Sequence, residues 1–332
     1  MLGGLLTASL SWRSVMLVNV PIGVGLLVAS VIFLAPTTAS GNGSRVDVPG
    51  AFTITIAAAA IVYGVSAASA DGWGSGQVLA ALITGVVLLA AFVVIERRAD
   101  QPLIPIDLFS IRNLRIGNIL TLCMGVVLTA PLFFLSLYLQ QVLGESALRT
   151  GLSLLPMVCV ISAGVLISQR LIPTVGPRCL VVSGALAAAA GLLWLGRLSA
   201  YPAYVGHVLL PTLVVGAGTS LTIMPAVVAA TAGVDPRNAG VASGLINMCR
   251  QLGAALGLAA LVTVAAGVTS HSHATGAAAV VEGYRAAFYA IAAASAATAA
   301  LALMLRPAMA TGPRRRDTRL PTVSEVSDQR CD

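Results

Sequence analysis

Arg250 stands inside a long apolar stretch, with Asn247 three residues before it and Gln251 directly after. Residues three apart share a helix face, so Asn247 and Arg250 would present one polar patch. If the stretch spans a bilayer, a charge there costs about 2.5–3.5 kcal/mol on insertion scales and normally faces protein or water. Two readings are open. The patch donates hydrogen bonds into a cavity or to a partner helix, or Arg250 snorkels to the membrane surface. About ten residues, roughly 15 Å of helix, separate it from Gly240, which strains the second reading. Phe134 and Tyr138, with Phe133, Met124 and Met157, are the residue types that line adaptable, greasy pockets. Plain packing or lipid contact is their alternative.

Other chemistries find little support. The five cysteines (Cys123, Cys159, Cys179, Cys249 and Cys331) form no CxxC pair and read as small packing residues rather than a disulfide framework or metal site. His271 and His273 alone do not make a metal site. There is no phosphate-cradling loop and no nucleophile–His–carboxylate grouping. The predicted spans contain no Asp or Glu. The expectation is a chain that is not an enzyme, with no cofactor and no metal.

These residues must be positioned by membrane helices. The chain is 58% hydrophobic and 9% charged, against about 25% charged for soluble domains. A bilayer core of about 30 Å takes roughly 20 helical residues. Nine predicted spans follow: Val15–Ala35, Pro49–Ala70, Val78–Ile95, Ile116–Leu139, Gly151–Ile167, Cys179–Leu195, Tyr204–Ala230, Val241–Val268 and Ala286–Leu305. The interior prolines Pro131, Pro156, Pro211 and Pro225 are tolerated in such helices. The net charge of +7 comes from arginine alone. A nucleic-acid partner is rejected because the arginines sit in gaps between spans, with no basic domain. Alternate gaps and the tail hold fourteen of them; the other gaps hold Arg13, Arg149, Arg197 and Arg285. The positive-inside rule then puts the C-terminal tail in the cytoplasm. Residues 96–115 mix charge with apolar side chains and read either as an interfacial element or as an ordinary loop. Residues 306–332 read as a disordered tail.

Met1–Leu10 is apolar but half the length of a span, and reads as the outer half of a helix whose inner half is absent. The expectation is a truncated chain or a misassigned start. In-frame DNA upstream encoding further spans would support that.

Several motifs carry a family resemblance. Trp12-Arg13, then Asn19, Pro21 and Gly23, resemble the hinge between the fifth and sixth spans of fourteen-span drug:proton antiporters, the EmrB/QacA type of the major facilitator superfamily. Gly3 and Gly4 look like the tail of that family's antiporter motif, while Ser14 and Met16 replace its usual aromatics. Tyr138-Leu139-Gln140-Gln141-Val142-Leu143-Gly144 resembles its loop between the ninth and tenth spans. Asn238-Ala239-Gly240 through Arg250-Gln251-Leu252-Gly253 resembles the start of its thirteenth span, and Pro102-Leu103-Ile104-Pro105 its eighth-to-ninth linker.

The resemblance implies an all-α membrane protein, a major-facilitator-type helix bundle with nine complete transmembrane helices and a partial first one. Residues 1–35 would be a remnant of the N-terminal bundle and 36–115 two linker spans with a cytoplasmic amphipathic loop. Residues 116–305 would be the six-span C-terminal bundle, built from inverted three-helix repeats. The implied function is secondary active transport, efflux of drugs or secondary metabolites by proton antiport through alternating access. Implied partners are a hydrophobic or cationic drug-like substrate, protons coupled by a residue in the N-terminal bundle, and the bilayer of the cell membrane. Candidate cavity residues are Asn247, Arg250, Gln251, Phe134, Tyr138, Gln140 and Gln141; Gly3, Gly4, Arg13, Asn19, Pro21 and Gly23 carry the motif and hinge. The alternative is a non-transporting membrane fragment.

Overall fold

The computed structural model describes residues 12–33, 47–98, 106–199 and 204–305. Met1–Leu10, with Gly3 and Gly4, the 99–105 part of the linker and the tail from residue 306 lie outside them. Helices α1 (Trp12–Leu17), α2 (Asn19–Phe33), α3 (Val48–Asp71), α4 (Gly76–Arg98) and α5 (Arg112–Leu137) are followed by α6 (Ala147–Val175), α7 (Pro177–Leu195), α8 (Leu210–Thr231), α9 (Ala239–His271) and α10 (Ala277–Met304). Single π-helical turns, Tyr138–Val142 and Val205–Leu209, extend α5 and precede α8. Eight of these helices are long and apolar enough to cross a membrane, and no strand occurs among the described residues.

The local sequence explains where helices start and stop. Asp47 caps α3, its carboxylate accepting from the Gly50 amide at 3.0 Å. Ser146 caps α6 by accepting from the Arg149 amide at 3.4 Å. A single residue, Gly176, joins α6 to α7 with φ +84°, a left-handed conformation that favours glycine.

The first predicted span differs from expectation. It is two helices broken at Val18, and the second has only 15 residues. Pro21 supplies the reason: it has no N–H to offer the Leu17 carbonyl, and its ring crowds that same group. Most other helices run beyond their predicted limits and so take in carboxylates: Asp71 ends α3, Glu96 lies in the last turn of α4, and Glu282 lies near the start of α10. Glu96 is only 4% exposed.

Helices α5 to α10 form one bundle. Helix α5 packs on α8, α9 and α10; α7 packs on α8 and α10; α6 rests on α8. Helices α3 and α4 form an antiparallel hairpin that docks on α9 through α3. Side-chain bonds fix the ends. The Arg178 guanidinium donates to the Leu303 carbonyl, joining the start of α7 to the end of α10. At the other end Arg285 Nε donates to the Gly196 carbonyl at 2.9 Å. With helices alternating in direction, Arg97, Arg98, Arg112, Arg115, Arg170, Arg178 and Arg237 gather at one end, hereafter the arginine-rich end. Ile106–Ser110 is a 3-10 turn at that end, and its Leu108 is buried with Leu114, Ala230, Ala242 and Ile246. This turn therefore plugs the bundle and does not only lie along a surface.

Lipid provides no hydrophobic drive between helices, so close packing depends on small residues. A Cβ on Gly125 would strike the Arg250 carbonyl, and one on Gly253 would strike the Leu122 carbonyl. The backbones of α5 and α9 meet at this crossing. Coverage is uneven: α5, α7, α8 and α10 are well buried, whereas α6 and α9 leave most of their apolar surface open.

Candidate functional site

Arg250 is the twelfth residue of α9, which puts it about 16 Å from the arginine-rich end of that helix. The Gly125 crossing places its backbone against α5. Its side chain is half-buried and leans back towards the start of α9, where Nη2 donates to Asn247 Oδ1 at 2.7 Å. That lean follows the ordinary tilt of helical side chains towards the N-terminus. Asn247 and Gln251 are exposed on the thinly covered face of the helix. Among the described residues no carboxylate pairs with Arg250. The guanidinium keeps donors to spare, and a cation held this deep favours an anionic or strongly accepting partner.

The aromatic candidates lie elsewhere. Phe134 is buried in the main core, nine residues beyond Gly125 and so about 13 Å further along α5. It makes edge-on contacts with Phe133 at 5.4 Å, Tyr284 at 5.8 Å and Phe288 at 6.3 Å between ring centres. Phe133 and Phe134 line an apolar cleft of about 380 Å³ with Leu137, Val262, Ala265 and Tyr284. A neighbouring cleft of about 350 Å³ shares Phe133 and Val262 and reaches Val62 and Ser66 of α3. Of the five residues that the sequence offered as a greasy lining, Phe133 and Phe134 border these clefts, which lie between α5, α9 and α10. Met124 and Met157 are core residues in separate clusters.

Tyr138 is fully buried, and its hydroxyl donates to the Ser199 carbonyl at 2.7 Å. Gln141 Oε1 accepts from the Tyr284 hydroxyl at 2.7 Å, and Gln140 Nε2 donates to Ser136 Oγ at 2.8 Å. These three residues belong to the π turn at the end opposite the arginine-rich one. Sixteen residues separate Gly125 from Gln141, about 24 Å of helix. The structure therefore divides the candidates into a polar pair on α9 and an end clamp on α5, α7 and α10. The hinge residues Arg13, Asn19, Pro21 and Gly23 sit on α1 and α2; no residue of α2 is buried.

Two contributors escaped the sequence reading. Tyr284 serves both the cleft and the clamp, and Tyr284 and Phe288 at i, i+4 on α10 are a signal that could have shown it. The Gly125 seam was legible in the small-xxx-small pair Gly253 and Gly257.

Comparison with known proteins adds the following. The chain matches the family described as Major Facilitator Superfamily over residues 1–258. It is 40% identical to the cephamycin export protein of Amycolatopsis lactamdurans over 275 residues, covering 82% of this chain and 57% of that protein. Identity to the puromycin resistance protein of Streptomyces alboniger is 38% over 288 residues, 85% and 57% of the two chains. For the tetracenomycin C resistance and export protein of Streptomyces glaucescens it is 32% over 260 residues, 78% and 48%. The chain thus spans about half the length of the curated relatives it matches.

Proposed function

This chain belongs to the major facilitator superfamily, a family of membrane transporters, and from that membership we propose that it works in the export of drug-like secondary metabolites. The proposed mechanism is secondary active antiport against protons, in the manner of the fourteen-span EmrB/QacA type. Residues 116–305 would supply the C-terminal bundle and residues 36–115 two linker helices, with the arginine-rich end in the cytoplasm of a cell-membrane protein. Two bundles rocking about a midplane site would give alternating access.

The observation that carries this reading is the Asn247–Arg250 pair. A polar pair well inside a membrane helix, on a face that its own bundle leaves open, suits a substrate path better than a structural contact. The names of the relatives, among them export and antibiotic-resistance proteins, support small-molecule efflux. The Phe133–Phe134–Tyr284 cleft would accept an apolar part of such a molecule.

The test is efflux from a pump-deficient host that carries the gene in its native genomic context. Expected is export of at least one compound from a panel of toxic secondary metabolites, abolished by a protonophore. Export that persists without a proton gradient contradicts antiport. No export of any compound contradicts the proposal.

A further inference from the structure

Asn118 is 7% exposed, and neither its amide nitrogen nor its amide oxygen has a hydrogen-bond partner among the described residues. Buried polar groups are almost always paired, so one that leaves a donor and an acceptor idle requires an explanation. It lies on α5, seven residues before Gly125, and residues seven apart share a helix stripe. Gly125 is where the Arg250 carbonyl closes on α5. Helices α5 and α9 both start at the arginine-rich end, and Gly253 against Leu122 with Gly257 against Val126 sets a parallel register. By those contacts and that of Gly125 with Ala254, Asn118 lies level with residues 247 to 249 of α9. The Arg250 guanidinium leans towards Asn247, which carries it towards the level of Asn118.

We propose that Asn118, Asn247 and Arg250 form one receptor for a carboxylate on an otherwise apolar substrate. The inference rests on the reading of Asn247 and Arg250 as cavity residues and deepens it by naming the substrate class. Arg250 supplies the positive charge and a fork of N–H donors that matches a carboxylate. The Asn118 amide N–H₂ donates to the same group, and its carbonyl accepts from a neighbouring N–H or O–H of the substrate. An acid is favoured over the cation implied by family resemblance, because a cation would meet Arg250 with like charge.

The test is equilibrium binding of tritiated 1-naphthoate and of its methyl ester to the detergent-solubilised chain by scintillation proximity. The wild-type chain is expected to bind the acid about ten-fold tighter than the ester, the worth of one good hydrogen bond to a charged group. Asn118→Leu should weaken the acid about ten-fold and leave the ester unchanged. Arg250→Gln should remove the preference for the acid. Asn118→Leu should melt no lower than wild type, because it deletes an idle buried amide at similar volume. Should that variant fail to fold, Asn118→Asp decides, since its carboxylate would occupy Arg250 and expel naphthoate. Unchanged acid binding in the folded Asn118 variant, with the preference lost in Arg250→Gln, overturns the role of Asn118 and leaves the Arg250 site standing. Equal binding of acid and ester by wild type overturns the substrate class. No effect of Arg250→Gln, or no binding of either probe, overturns the site itself.

Discussion

At the scale of single residues, polar groups that look alike in the sequence do different kinds of work. Arg250 leans on one side chain and faces an uncovered surface, whereas Arg197 lies at the exposed end of α7. Arg250→Ala should therefore reduce efflux by an order of magnitude or more, and Arg197→Ala by little; equal activity of the two in the same host removes Arg250 from the site. Gly253 does a different job, admitting the Leu122 backbone. Gly253→Val overpacks the seam and should cost about 1–3 kcal/mol, read as a lower melting temperature in detergent; an unchanged melting temperature would show that the α5–α9 crossing is looser than described. Tyr138→Phe loses the bond to Ser199 and should cost about 1 kcal/mol while leaving ligand binding intact. Loss of binding in that variant would return Tyr138 to the cavity.

At the scale of elements, Pro21 offers a clean case. It breaks the first span at Val18, so Pro21→Ala should let one helix run through, with a slowly exchanging amide at position 21 bonded to the Leu17 carbonyl; fast exchange there would assign the break to tertiary context. Much of the helical pattern was legible before the structure, because apolar runs at bilayer length leave few alternatives. Cys179–Leu195 and Tyr204–Ala230 were placed within two residues of α7 and of α8 with its π turn. Helix ends were less legible. α6 and α10 each extend several residues past the predicted limits, since polar residues such as Glu282 and Arg285 continue a helix once neighbours bond their side chains. The site was half legible. Asn247 and Arg250 announced themselves by polarity in an apolar run. Tyr138 and Gln141 did not reveal their structural role, because their partners Ser199 and Tyr284 are remote in sequence. Asn118 passed unnoticed because its meaning lies in missing partners, which no spacing encodes.

At the scale of the whole molecule, the central claim is a chain woven through a membrane with its arginine-rich end inside the cell. The family membership and the eight long apolar helices show a multi-pass membrane chain; its orientation is our proposal, drawn from the sorting of arginine. The most direct measurement is cysteine labelling with a membrane-impermeant maleimide in intact cells, in a background where the native cysteines are alanine. Arg149→Cys and Arg197→Cys are expected to label from outside, while Arg98→Cys and Arg237→Cys label only after permeabilisation. Labelling of one member of each pair from outside would contradict the weave.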